Sequence, residues 1–419
     1  MNKKTTNIYF TIFLFLILYI SILLGLYLNE DNLGGAAKDF NHHFKISEKM
    51  SLDFLKGLND FGNLDSTRNS PIFWIFIGFV NKFFSYEYIK LLNTLIIFPL
   101  TYFFYRCLEL KYKNVETIHL VILSSFLFLS PSLRSLIIWP YSLSWGLLFF
   151  IISIFYYLKN ENNLNLINSL KVITLIIISS YIYPSFSVFY LFYIYKIFKQ
   201  SLKLNNIIII LILSFIMSLP CLYYILTRDI ISSFNVAQGV DVSIGKSFNL
   251  SNKILIISTL CLYAILPIIN FNKLTKKFLL SDKKEFVFII IFCLINFYYF
   301  NFPNSVWGGG FFHKISHIIF ENNILFFLFA FISISVLFIL SDKEKDNYFL
   351  LIILILFNPQ FTIYLKYYDP LIFIIFLTLF KFNLKTYFLD NSMKYFQFYG
   401  FIVFYYIAIY SKKLFFDFT

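Results

Sequence analysis

The chain has 419 residues, 59% hydrophobic and 14% charged, with a net charge of +13 and a mean hydropathy of +0.74. So little polar surface cannot cover a soluble core, and the composition implies an all-α, polytopic integral membrane protein. The positive balance lies in short Lys-rich runs between apolar stretches, where orienting charges sit, and this excludes a nucleic-acid-binding domain. Cys107, Cys221, Cys261 and Cys293 stand singly in or beside apolar runs, without the spacing of a zinc site or a disulfide framework. The bias towards Phe, Ile, Lys and Asn points to an AT-rich, bacterial genome, so the 58 Phe are partly mutational bias and not a stacking signal.

The apolar run 8–28 is too long for a signal-peptide core and has no small-residue cleavage site after it. It is expected to be an uncleaved first transmembrane helix, with Lys3 and Lys4 holding its start in the cytoplasm. Residues 29–87 then form the first extracytoplasmic loop. Between 29 and 71 this loop carries seven carboxylates, the pair His42-His43 and a Gly-Gly. Next comes PIFWIFIGFVNKFF at 71–84, shorter than the roughly 20 residues a spanning helix needs. If it crossed the bilayer, the later basic connections would lie outside. If it stays in the interface, then Arg106, Lys111, Lys113, Lys159, Lys171, Lys196, Lys199, Lys203, Lys273, Lys276, Lys277, Lys283, Lys284, Lys343, Lys345, Lys381, Lys385 and Lys394 all fall inside. The positive-inside rule selects the second arrangement and makes 71–84 a juxtamembrane helix.

Further spans are expected at 88–106, 116–131, 136–158, 171–183, 185–198, 205–227, 253–270, 286–302, 323–340, 347–362, 367–383 and 395–411. With the first helix this makes about 13 transmembrane helices, 11–13 if the weaker segments merge. Tyr183-Pro184 leaves open whether 171–198 is one kinked helix. Residues 1–419 are expected to form a single transmembrane domain with no separate soluble domain. The outer segments are 29–87, 228–252, 303–322 and 362–368. They hold four of the five histidines, so the titratable groups gather on one face.

Within the first loop, Glu30 and Asp31 stand at the mouth of the first helix, and Asp39 follows eight residues on. A partly desolvated carboxylate there can act as general base towards a hydroxyl, or can simply be part of a solvated rim. His42 and His43 could bind phosphate, relay protons or ligate a metal. On a helix they point apart, whereas Asp39 and His43 would share a face. Arg68 precedes Ser70-Pro71 and could meet a phosphate or lipid head groups. Later, Trp307-Gly308-Gly309-Gly310 precedes His313, Lys314 and His317, where the glycines permit close backbone approach to a ligand. Lys366 lies at another outer helix end, before Tyr367-Tyr368 and Asp369-Pro370. A metal at His313 and His317 would need a further ligand, so no metal set is expected there.

The order of these features resembles a family. Asp39-Phe40-Asn41-His42-His43 in the first outer loop is followed by Ser70-Pro71-Ile72-Phe73-Trp74, which starts a helix too short to span. The pattern extends to Ser130-Pro131 and Arg134 before the helix at 136–158. This looks like the GT-C glycosyltransferases, among them the protein mannosyltransferases and the lipid A aminoarabinose transferase. The resemblance departs at Asp39, which is followed by Phe and not Glu, while the only adjacent acids are Glu30-Asp31. It implies a GT-C-like fold in a bacterial inner membrane, with a cytoplasmic N-terminus and the active site on the outer face. It further implies inverting transfer of a sugar from a polyprenyl-phosphate donor to a cell-envelope glycan, lipid or protein acceptor. An acid of the first loop (Asp39, with Asp31 and Glu30 in reserve) would be the base. His43, His42, Arg68, His313, Lys314 and Lys366 would contact substrate, and no cofactor is firm beyond a possible divalent metal. Two rivals stand beside this reading. An O-antigen or capsule polymerase would place its large outer loop late in the chain, with arginines in it. A lipid-linked glycan flippase would carry charges inside its spans.

Overall fold

The computed structural model describes residues 3–32, 35–63, 70–200, 203–227, 249–266, 269–270, 274–277, 283–304, 308–381, 399–400 and 403. All regular elements among the described residues are helices. The chain divides into two compact units, Met1–Ser233 and Phe234–Thr419. The expected span at 395–411, the outer segment 228–248 and Arg68 lie outside the described residues, apart from three positions of the span.

In the first unit α1 (Lys3–Tyr27) exposes Tyr9, Phe13, Leu16, Ile20 and Leu24, a surface that water penalises and hydrocarbon accepts. Asn29, with φ 52°, ends the helix in the left-handed conformation. The Glu30 N–H then returns to the Gly25 carbonyl at 2.8 Å, and the Asn29 N–H to Leu26 at 3.2 Å. This is a Schellman closure with asparagine in place of glycine.

Helix α2 (Ala36–Leu52) buries Phe40, His43, Phe44, Ser47 and Met50 along one stripe and leaves Lys38, His42, Lys45, Glu48 and Lys49 in the open. It folds back on α3 (Phe54–Asn63) and packs against α4 (Pro71–Val80). Glycines allow both approaches: a Cβ on Gly57 would lie 2.5 Å from the Met50 nitrogen, and one on Gly78 2.8 Å from the Ser47 carbonyl. Ser70 and Pro71 start α4, with the Ser70 hydroxyl accepting from the Ile72 N–H. Its 10 residues extend about 15 Å, half the hydrocarbon thickness.

The remaining helices of this unit are α5 (Tyr86–Thr94), α6 (Ile97–Lys111), α7 (Thr117–Ser124), α8 (Phe126–Leu129), α9 (Pro131–Ile138), α10 (Ser142–Lys159), α11 (Leu166–Ile182), α12 (Val188–Lys199) and α13 (Leu204–Thr227). α10 packs most extensively on α11 and α6, and Gly146 lets α10 approach Tyr183 and Phe186 closely. The second unit contains α14 (Leu250–Ile265), α15 (Lys283–Tyr298), α16 (Gly310–Phe320), α17 (Ile324–Ser341), α18 (Lys345–Leu356) and α19 (Leu371–Thr378). Here α14 and α17 form the main contact.

Among the described residues, five helices are long and apolar enough to cross a membrane: Tyr9–Tyr27, Tyr86–Lys111, Ser142–Lys159, Leu204–Tyr224 and Ile324–Ser341. The pair Thr117–Leu129 and Pro131–Ile138, bent by 58°, makes a sixth if it is one broken span. Helices stand at nearly every expected span, but many are short. α12 and α18 have 12 residues and α19 has eight, so they reach about 18 and 12 Å against a hydrocarbon core of about 30 Å. Two proline breaks explain part of the difference. Ser130-Pro131 starts the separate helix α9, so the span expected at 136–158 begins only at Ser142. At Pro184 a 3-10 turn, Pro184–Ser187, separates α11 from α12, so 171–198 is two helices and not one kinked helix.

Candidate functional site

In the first unit the end of α1 meets α9. The Glu30 carboxylate is 1% exposed and the Arg134 side chain 4%. Arg134 donates from Nε to Oε1 at 2.8 Å and from Nη2 to Oε2 at 2.6 Å, a bidentate fork. The same guanidinium donates to the Ser21 hydroxyl, the Ser21 carbonyl and the Phe128 carbonyl. Trp139 Nε1 donates to the Glu30 carbonyl at 3.0 Å. Gly25 makes room for the pair, since a Cβ there would sit 2.2 Å from Glu30 Oε2. Both Glu30 oxygens are therefore engaged, in a clasp between the first helix and α9.

Asp31 has another task. Its carboxylate accepts from the N–H groups of Gly35 and Ala37 at 3.1 Å each and of Ala36 at 3.4 Å. It thus satisfies orphan donors at the start of α2 and places negative charge at that helix's positive end. Gly35, at φ 97°, gives the turn its left-handed step and serves helix initiation. Asp39 lies in the first turn of α2, half-buried.

Next to Asp39, Phe40 is fully buried and its ring packs 5.4 Å from Tyr86 and 6.4 Å from Trp139. Those two rings flank Lys90 of α5, whose ammonium sits 4.0 Å from the Trp139 ring centre and 5.4 Å from that of Tyr86. Lys90 is 2% exposed. It donates to Asn29 Oδ1 at 3.2 Å and lies 3.4 Å from the exposed carboxylate of Glu87. Tyr86 donates to Asn41 Oδ1, which ties the same turn of α2 to α5. His43 is buried against Trp74 with ring centres 4.7 Å apart, while His42 faces outward. In the first unit Glu30, Asp31 and Lys90 thus meet at the end of α1, Asp39 stands in the first turn of α2, and His42 and His43 lie further along that helix. The sequence reading passed over this lysine, although Tyr86 and Lys90 at i, i+4 within an apolar run are the signal of an aromatic-sheltered cation.

The second unit carries its own polar end. Gly308, Gly309 and Gly310 have φ of +95°, +82° and +79°. Their close approach is to the chain itself: the Gly309 N–H donates to the Ile363 carbonyl at 3.0 Å, and a Cβ on Gly308 would meet that oxygen at 2.5 Å. His313 of α16 is 0% exposed among Phe300, Phe302 and Phe326. Burial, helped by the nearby His317 and Lys314, lowers its pKa to about 4, with a smaller opposing effect from the Phe302 carbonyl. Lys314 donates to the Asn304 carbonyl at 2.5 Å, and burial pulls its pKa down. Lys366 is buried beside Tyr364 and Tyr367. Lys253 of α14, which the sequence reading also passed over, is 1% exposed and donates to the Asn358 and Gln360 carbonyls.

At the far end of α15 and α17 the basic connections are paired with acids. Lys343 pairs with Glu285, Lys277 with Asp342, and Lys381 with Glu344 and Asp346. The two ends of these helices are thus chemically distinct, with histidines and buried lysines at one and ion pairs at the other.

Among the described residues no three His, Cys, Asp or Glu side chains form a set able to hold a metal ion. Glu30 is bonded to Arg134 and Asp31 caps α2, so the acids at the mouth of α1 do not fit an oxygen-ligated divalent cation. Compared with models of known families, with curated proteins and with solved structures, the chain matches none.

Proposed function

We propose that the chain is a membrane-embedded glycosyltransferase that moves a sugar from a polyprenyl-phosphate donor to a hydroxyl of an envelope acceptor. The first loop would face outward from a bacterial inner membrane. The observation that carries this reading is the buried Lys90 ammonium beside Trp139 and Tyr86, the rings on which Phe40 packs next to Asp39. A carboxylate and a desolvated cation around one aromatic cluster supply the two groups this transfer needs.

In the proposed step Asp39 takes the acceptor's hydroxyl proton as its oxygen bonds to the anomeric carbon. The bond from that carbon to the phosphate oxygen breaks with inversion, and the departing phosphate takes the electron pair. Lys90 would stabilise the charge that grows on the phosphate, in a setting where water does not screen it. Glu30 and Arg134 hold the end of α1 in place for this, and Asp31 holds the start of α2. The buried cations fit this reading better than a flippase, because Lys90 stands near the start of the apolar stretch Tyr86–Lys111 and Lys253 in the first turn of α14, not midway along spans.

The test is Asp39→Asn in the full chain, reconstituted in nanodiscs with polyprenyl-phosphate hexose and pentose donors. Transfer or hydrolysis is followed by release of polyprenyl phosphate. Loss of a general base lowers the rate about 10²–10⁴-fold, with the melting temperature unchanged. Wild-type turnover in the Asn variant removes Asp39 from the role, and no turnover by either protein with any donor removes the reading.

A further inference from the structure

His313 is an unusual residue to bury. Neither of its ring nitrogens makes a well-formed hydrogen bond, only a looser approach to the Phe302 carbonyl; its surface is fully covered, and its neighbours are phenylalanine rings and His317. An imidazole sealed off in this way forfeits the hydrogen bonds that water gave it in the unfolded chain. A phenylalanine would fill the same box at no such cost. The burial makes chemical sense if a lone pair of His313 has another use.

His317, one turn on, is half-buried and shows what that use is. Its Nε2 lies 2.8 Å from Asn323 Oδ1. A carbonyl oxygen only accepts, so Nε2 carries the proton and Nδ1 keeps its lone pair. A neutral histidine held by an outer acceptor on one nitrogen, with the other left bare, is the usual state of a metal ligand. The separation agrees. The His313 and His317 ring centres are 4.9 Å apart, with planes at 65°. Two imidazoles sharing one tetrahedral ion, with metal–nitrogen bonds of about 2.1 Å and about 1.1 Å from nitrogen to ring centre, stand about 5 Å apart. On His313, Nδ1 faces Gly309, whose added Cβ would lie 2.9 Å from it, so Nε2 is the nitrogen turned to the ion.

We propose that His313 and His317 form a two-imidazole site for a borderline transition-metal ion of the zinc or copper(II) class. Water or an exogenous anion completes the coordination. The ligand type selects this class over magnesium or calcium, which take oxygen. Lys314 sits between the two histidines in sequence, but its ammonium is bonded to Asn304. The proposal concerns the second unit alone and stands independently of the glycosyltransferase reading.

The test uses full-length protein in detergent, stripped with chelator and titrated with Zn(II) in a melting assay and with Cu(II) in electron paramagnetic resonance. Zn(II) at a hundredfold excess over its dissociation constant should raise the melting temperature by several degrees. Bound Cu(II) should show hyperfine structure from two imidazole nitrogens, reduced to one in His317→Gln. His313→Phe should lose the Zn(II) shift while melting no lower than the wild type without metal, because a ring replaces an unsatisfied one in the same box. If His313→Phe melts lower, His317→Gln still decides by its nitrogen count. A Zn(II) shift or a two-nitrogen Cu(II) signal retained in the double variant overturns the proposal, and so does the absence of any signal from the wild type.

Discussion

Glu30→Gln removes one charge from a pair in which the carboxylate is 1% and the guanidinium 4% exposed. Gln keeps the shape and one carbonyl acceptor, but Arg134 would keep its charge and lose its counter-charge at 2.6–2.8 Å. Breaking a buried pair from one side costs about 3–5 kcal/mol, against a total stability of about 5–15 kcal/mol. In a unit of this size that corresponds to a melting temperature lower by about 6–20 °C. The measurement is thermal unfolding of the purified full chain, extended to the cycle of Glu30→Gln, Arg134→Met and the double variant. The double variant should melt well above Glu30→Gln, because it leaves no uncompensated charge. An unchanged melting temperature for Glu30→Gln, or additive losses in the double variant, would refute the clasp. Lost transfer at unchanged stability would instead make Glu30 the catalytic base.

Other perturbations follow from the same contacts. Gly25→Ala pushes a methyl onto Glu30 Oε2 at 2.2 Å and should cost about 1–3 kcal/mol, a loss that shrinks in a Glu30→Ser background; paired melts read both. Asp31→Ala removes the acceptor for three N–H groups and should cost about 1 kcal/mol, with faster hydrogen exchange at residues 35–37. Gly309→Ala combines φ +82° with contacts of 2.8 Å to Phe302 and 2.9 Å to His313, and a loss of about 1–3 kcal/mol is expected in the melt. For orientation, single cysteines replacing the exposed Lys45 and Lys345 should react with an impermeant maleimide from opposite sides of sealed vesicles. Labelling of both from one side would reject the topology.

Composition and hydropathy were enough to determine that the chain is helical and carries spans, because burial of apolar surface and internal satisfaction of the backbone admit little else. The short helix after Ser70-Pro71 and the end of α1 near residue 29 were equally legible, since proline starts and apolar runs act locally, whereas a helix through Asp39 and His43 stood only as a condition. What the acids do was not legible. Glu30, Asp31 and Asp39 look alike in sequence, and only the fold, through residues as distant as Arg134 and as near as Gly35, separates a clasp, a cap and a half-buried carboxylate. Lys90 and Lys253 became buried cations only once Trp139 and the 358–360 carbonyls came to cover them. The same holds for span count, where five or six helices among the described residues are long and apolar enough to cross a membrane. Hydropathy registers that a segment is apolar, whereas Pro131, Pro184 and the lengths of α12, α18 and α19 decide how far each helix reaches. Side-chain chemistry is written locally, and its role is set by which distant groups the packing brings within about 3 Å.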